Sequence, residues 1–193
     1  MKKKVIVIVA ILLCLTAAVG GTLAYYTVVG TARNVITTGG IGVEVVEQQL
    51  VNGEPKPYPP EPILVVPAIS VSKIVSARSL EQPAWVRMSY TATLLGPDGK
   101  ALSIAPAELA KLVIITPNSS SWTEKDGWWY YKDALAADEL SAPLFESVSF
   151  SGPDMGNEYQ NCTLIVNVTA QAVQKANNGE SVMAAAGWPA AES

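Results

Sequence analysis

The chain has 193 residues, 49% of them hydrophobic and 16% charged, and a net charge of −4. It is apolar enough to bury a core, too apolar for intrinsic disorder, and too acidic to attract nucleic-acid phosphates; it also carries no basic stripe for an anionic membrane surface. Histidine is absent, which excludes Ser-His-Asp catalysis, Cys-His catalysis and every His-ligated zinc site.

Lys2, Lys3 and Lys4 form a positive start, and residues 5–19 are an apolar run broken only by Thr16. Gly20 and Gly21 end the run. Thr22-Leu23-Ala24 then places small residues at the two positions a signal peptidase reads. Residues 1–24 therefore read as a Sec-type signal peptide cleaved between Ala24 and Tyr25, through which alone the chain meets a membrane. Two alternatives stand beside this one. The apolar character resumes at residues 25–29, as an uncleaved anchor requires, and Cys14 is the position a lipoprotein would modify, although Leu13 is bulky for such a site. Cleavage leaves ten basic residues against all 17 acidic ones, a net charge of −7, and one cysteine, Cys162. No intramolecular disulfide is then possible, and Cys162 reads as a small buried apolar side chain on a strand.

Residues 25–193 read as one mainly β domain. Ile41, Val43 and Val45 alternate with Gly42 and Glu44. Val86, Met88, Tyr90, Ala92 and Leu94 alternate with Trp85, Arg87, Ser89, Thr91 and Thr93. Cys162, Leu164, Val166, Val168 and Ala170 alternate with Thr163, Ile165, Asn167 and Thr169. A period of two marks half-buried strands. Further strands are predicted over residues 63–66, 69–75, 113–116, 128–132 and 144–150. The proline-rich stretch 52–62 reads as an extended connection rather than a strand interior. Turns are predicted at residues 96–99, at the hairpin signal Asp126-Gly127 and at residues 151–157. Pro106 with Glu108 and Lys111 predicts a helix of about two turns. Residues 169–177 and 180–186 are two further helix candidates. Eight or nine short strands with helices only in the connections predict a β-sandwich.

Trp122, Trp128, Trp129, Tyr130 and Tyr131 form the densest aromatic group. Alternation sends Trp128 and Tyr130 to one face and Trp129 and Tyr131 to the other, so one pair packs into the core and the other is a candidate exposed platform for a sugar or a partner. Asp133, Asp138, Glu139 and Glu146 match no calcium-loop spacing and read as solvated surface. Asn118, Asn161 and Asn167 begin glycosylation-type triplets that read as ordinary strand and turn residues.

Taken together, Gly20-Gly-Thr-Leu-Ala-Tyr-Tyr-Thr27, Gly39-Gly-Ile-Gly-Val-Glu-Val45, Pro83-Ala-Trp-Val-Arg-Met88, Asp126-Gly-Trp-Trp-Tyr-Tyr-Lys132, Pro143-Leu-Phe-Glu-Ser-Val148 and Ala170-Gln-Ala-Val-Gln174 followed by Trp188 resemble the TasA/camelysin family of secreted Gram-positive proteins. The resemblance implies a jelly-roll-like β-sandwich, processing by a SipW-type signal peptidase, and a secreted structural role in the biofilm matrix or at the cell surface. It further implies self-association, or association with related matrix subunits, in which a freed N-terminal strand adds to a neighbour's sheet. That strand corresponds here to Tyr25, Tyr26, Thr27, Val28 and Val29. Its composition is β-prone and apolar, which suits strand addition. The alternative function is a surface-displayed binding module recognising glycans or host proteins through exposed aromatics. A metallopeptidase label attached to family members finds no support in a chain without histidine; no catalytic residue, cofactor or metal is expected.

Overall fold

The computed structural model describes residues 41–189. The predicted signal segment 1–24, the cleavage point between Ala24 and Tyr25, and the candidate assembly strand of Tyr25, Tyr26, Thr27, Val28 and Val29 lie outside the described residues. In chain order the elements are β1 (Val43–Val51), β2 (Glu54–Pro57), β3 (Ile63–Leu64), β4 (Ser70–Ser79), β5 (Ala84–Leu95), α1 (Pro106–Leu112), β6 (Val113–Ile115), β7 (Trp122–Lys125), β8 (Trp128–Tyr131), β9 (Phe145–Phe150), a 3-10 turn (Asn157–Tyr159) and β10 (Thr163–Gln174). They build two five-stranded antiparallel sheets, β2-β1-β4-β9-β6 and β3-β10-β5-β8-β7, packed face to face. The chain crosses repeatedly from one sheet to the other, so most neighbours within a sheet are distant in sequence.

The predicted alternation decides which residues fill the space between the sheets. Val86, Met88 and Leu94 of β5 are buried there, paired with Ala172, Ala170 and Leu164 of β10, and Val168 is buried beside them. Val43 and Val45 of β1, and Ile41 just ahead of it, enter the same core. Cys162 joins it fully buried, just ahead of β10. Trp129 and Tyr131 also face this core, where Trp122 sits with its ring centroid 5.0 Å from that of Tyr131. The helix lies where Pro106 predicts it, with Glu108 in its first turn and Lys111 in its last, 3.0 Å apart as an exposed ion pair.

Three predicted segments differ. Residues 169–177 are not helical: Thr169 to Gln174 complete β10, in unbroken register with β5 from Thr163↔Leu95 to Gln174↔Ala84. Residues 180–186 form bends and a turn instead of a helix. The proline-rich stretch 52–62 contains a strand after all, because Asn52 (φ 55°) and Gly53 (φ 83°) make a two-residue hairpin turn that folds β2 back on β1. Pro55 and Pro57 are tolerated because β2 is an edge strand. A strand absent from the prediction, β7, pairs with β8 across Asp126-Gly127.

One inward-facing charge pair interrupts the apolar interior. Lys73 is buried, its Nζ lies 2.9 Å from Glu47 Oε1, and the same ammonium sits 3.9 Å from the centroid of the Tyr58 ring. Burial, and then the negative charge of Glu47, push the Tyr58 hydroxyl above its ordinary pKa; burial does the same to the Cys162 thiol. A folded-state pKa above the unfolded value means that the fold favours the protonated form. The corresponding stability is complete below the unfolded values, about 8.5 for a thiol and about 10 for a phenol, and declines as pH rises through the folded ones. The urea midpoint is therefore expected to fall above about pH 9. The double substitution Tyr58→Phe with Cys162→Ala is expected to flatten that fall, and an unchanged alkaline slope would remove both groups as its source.

Candidate functional site

The outer face of the β10-β5-β8 sheet carries the second core of the molecule. Register places Gln171 and Tyr130 directly beside Arg87, one on each neighbouring strand, so the three side chains form a row across the sheet. The row follows from alternation: with Val86 and Met88 committed to the main core, Trp85 and Arg87 must face outward. All three residues of the row are nevertheless buried, Arg87 at 8%, Tyr130 at 8% and Gln171 at 2% relative exposure.

What buries them is the end of the described chain. After β10 the backbone turns through Asn177 (φ 56°) and Gly179 (φ 75°), and residues 178–189 lie back across the sheet as a strap. Val182 of the strap is buried against Trp85, Tyr130 and Val173, with Ala185 and Trp188 packed beside them. The Trp85 indole N–H donates to the Asn178 carbonyl at 3.0 Å. The Asn178 side chain clamps the strap on itself, donating to the Ala186 carbonyl at 3.0 Å and accepting from the Ala186 N–H at 2.8 Å. The Trp188 indole meets the Tyr130 ring edge-on, with centroids 5.6 Å apart and planes at 89°.

Arg87 is the centre of this arrangement. Its Nε donates to Gln171 Oε1 at 2.9 Å and its Nη2 to the same oxygen at 2.6 Å. Nη1 donates to the Tyr130 hydroxyl at 2.9 Å, and Nη2 also donates to the Pro189 carbonyl at 2.8 Å. The guanidinium carbon lies 4.3 Å from the Trp128 ring centroid and 4.8 Å from that of Trp188. Among the described residues the cation is thus satisfied by neutral oxygens and two indole faces instead of a carboxylate. A planar fork with five donors can do this where an ammonium cannot.

The structure separates the four predicted aromatics as alternation requires, but none is exposed. Trp129 and Tyr131 are half-buried on the main core, Trp128 is half-buried against Arg87, and Tyr130 is buried beneath Trp188. Neither of the two pairs that could have formed an exposed platform is open: Trp129 and Tyr131 pack on the main core, and the strap covers Trp128 and Tyr130. Gln171, Asn178, Val182 and the Pro189 carbonyl were not anticipated as members of this cluster, although Trp188 near the chain's end was a visible hint that an aromatic returns to it.

The remaining sequence candidates stay apart. Asp133, Asp138, Glu139 and Glu146 are all exposed. Among the described residues, no group of three His, Cys, Asp or Glu residues comes together to hold a metal ion. Among the described residues, no helix is long and apolar enough to cross a membrane. An open groove of about 670 Å³ runs beside the strap's hinge, lined by Gln82, Pro83, Gln174, Lys175 and Glu180 among others. Comparison of the chain with protein-family profiles, with curated proteins and with solved structures returned no match.

Proposed function

We propose that this chain is a secreted, non-enzymatic structural subunit of an extracellular matrix, released by a SipW-type signal peptidase and assembled by strand addition. In this reading the sandwich is a jelly-roll-like member of the TasA/camelysin family, located in the biofilm matrix or at the cell surface. Tyr25, Tyr26, Thr27, Val28 and Val29 form the donated strand, taken up by the sheet of another copy or of a related subunit.

The observation that carries the reading is the contrast in strand length within each sheet. The edge strands β2, β3, β6 and β7 are 4, 2, 3 and 4 residues long, whereas β4, β5 and β10 run for 10, 12 and 12. Short edges blunt indiscriminate pairing and leave room for one specific strand to extend the sheet. The edge at β2 is protected further by Pro55 and Pro57, while β3, β6 and β7 contain no proline. Apolar side chains remain in solvent along these margins, with Leu64 58% and Ile114 46% exposed. The binding-module alternative loses its main support, because the aromatic face it relied on is filled by the chain's own strap.

The chain beginning at Tyr25, with no residue added before it, is expected to grow into filaments visible by electron microscopy and light scattering. Deleting residues 25–29 is expected to leave a folded monomer. A persistent monomer from the intact chain, or filaments that survive the deletion, would overturn the reading.

A further inference from the structure

We propose that Asn52 is a site of spontaneous covalent modification that releases the edge strand β2 from β1. The chain contains two Asn-Gly pairs, Asn52-Gly53 and Asn178-Gly179. In such a pair the following backbone nitrogen can attack the side-chain amide, because glycine has no Cβ to crowd the approach and its backbone turns freely. A bond forms between the Gly53 nitrogen and Asn52 Cγ while the bond from Cγ to Nδ2 breaks. The amide nitrogen leaves as ammonia, carrying the proton given up by Gly53. Water then opens the cyclic imide at either of its carbonyl carbons. One opening gives aspartate; the other gives isoaspartate, in which the main chain runs through the former side chain. Water is the only co-reactant and nothing is oxidised or reduced.

The two sites differ in exposure, in hydrogen bonding and in the space around the glycine. Asn52 and Gly53 sit at the tip of an edge hairpin in which residues 50–57 are all exposed. Nothing lies within 4 Å of the position a Gly53 Cβ would take. The Asn52 amide and the Gly53 N–H make no hydrogen bond among the described residues. At Asn178 the amide is held at both ends by Ala186, at 3.0 and 2.8 Å, and Gly179 is crowded by Ala184, 3.0 Å from the corresponding Cβ position. Asn52 is therefore free to react where Asn178 is locked.

The consequence follows from register. β2 is held by four paired positions, from Val51↔Glu54 to Gln48↔Pro57, all set by a turn of two residues. Isoaspartate adds one methylene to that turn, which can no longer join both strands in the same register. Conversion to aspartate keeps the chain length and the turn, since aspartate also adopts the left-handed conformation required there. Isoaspartate at residue 52 thus bares residues 48–51 of β1, including Leu50 and Val51, already 51% and 41% exposed.

Ageing the purified folded chain at mildly alkaline pH, followed by peptide mass spectrometry and isoaspartate-specific methyl labelling, tests the proposal. Asn52 is expected to convert at least about tenfold faster than Asn178, since two hydrogen bonds must break before Asn178 can react. In urea the two rates are expected to converge. Equal rates in the folded chain, or an Asn52 rate no higher than that of Asn118, which precedes serine, overturn the site. Hydrogen exchange over residues 48–57 is expected to rise with the isoaspartate fraction and to stay unchanged in Asn52→Asp; exchange that ignores the isoaspartate fraction overturns the release of β2.

Discussion

Replacing Arg87 with alanine is expected to lower the unfolding free energy by about 3 kcal/mol and to free the strap from the sheet. The loss comes from what the guanidinium leaves behind. Gln171 Oε1 and the Tyr130 hydroxyl, both buried, lose their donors, and the Pro189 carbonyl loses the bond that pins the last described residue to β5. Stranding a buried acceptor costs about 1–3 kcal/mol, more than the net gain from forming one hydrogen bond. Trp128 and Trp188 also lose the cation that lies over their rings. Arg87→Lys is expected to recover less than half of the deficit, because a point ammonium satisfies fewer acceptors and lacks the flat face that stacks on aromatic rings. Urea unfolding gives the energy. Trypsin cleavage after Lys175, at the strap's hinge, gives the release, and it is expected to accelerate in the alanine variant under native conditions. A loss below about 1 kcal/mol, within the range of an ordinary surface substitution, would show that the cage is not a structural centre.

Trp122→Ala is expected to be the more damaging change, at about 4 kcal/mol, in the range measured for removing a fully buried aromatic. Trp122 is 1% exposed, its ring packs against Tyr131, and its indole N–H donates to the Ala142 carbonyl at 3.1 Å. The substitution leaves a cavity between the sheets and an orphaned carbonyl. Trp122→Phe restores most of the volume and is expected to cost about half as much, because the Ala142 acceptor still goes unpaired. The urea midpoints of the two variants check the order; equal midpoints would assign the whole effect to the lost hydrogen bond.

The main core was legible in the chain because it obeys one rule. Along the second half of β5 and the first half of β10 one face is buried and the other is largely open, so apolar and polar residues alternate and the inward side chains can be named in advance. The second half of β10 broke the pattern for a physical reason. Ala170 and Ala172 face the main core while Gln171 and Val173 face the strap, so both sides of the strand are buried. With no solvent side there is no alternation, and small residues at adjoining positions imitate a helix. The same strap hid the site: a three-strand row under a cover supplied from residues 182–189 depends on pairings across the whole chain, and local spacing carries no trace of it. At β2 the error ran the other way, since prolines signal the absence of a strand interior but are compatible with an edge.

The strap also dictates an order of events. Its dock is made of side chains from three strands: Arg87 from β5, Tyr130 from β8 and Gln171 from β10. The dock does not exist until these three strands are aligned, and pairing strands so far apart in sequence is the slow part of assembling a β domain. The strap is also the last described segment to be synthesised. Sealing the second core is therefore expected to close the folding of the described residues, and the environment of Trp188 becomes a built-in clock for that step. Until it closes, a nearly finished molecule presents a bare aromatic face to its neighbours.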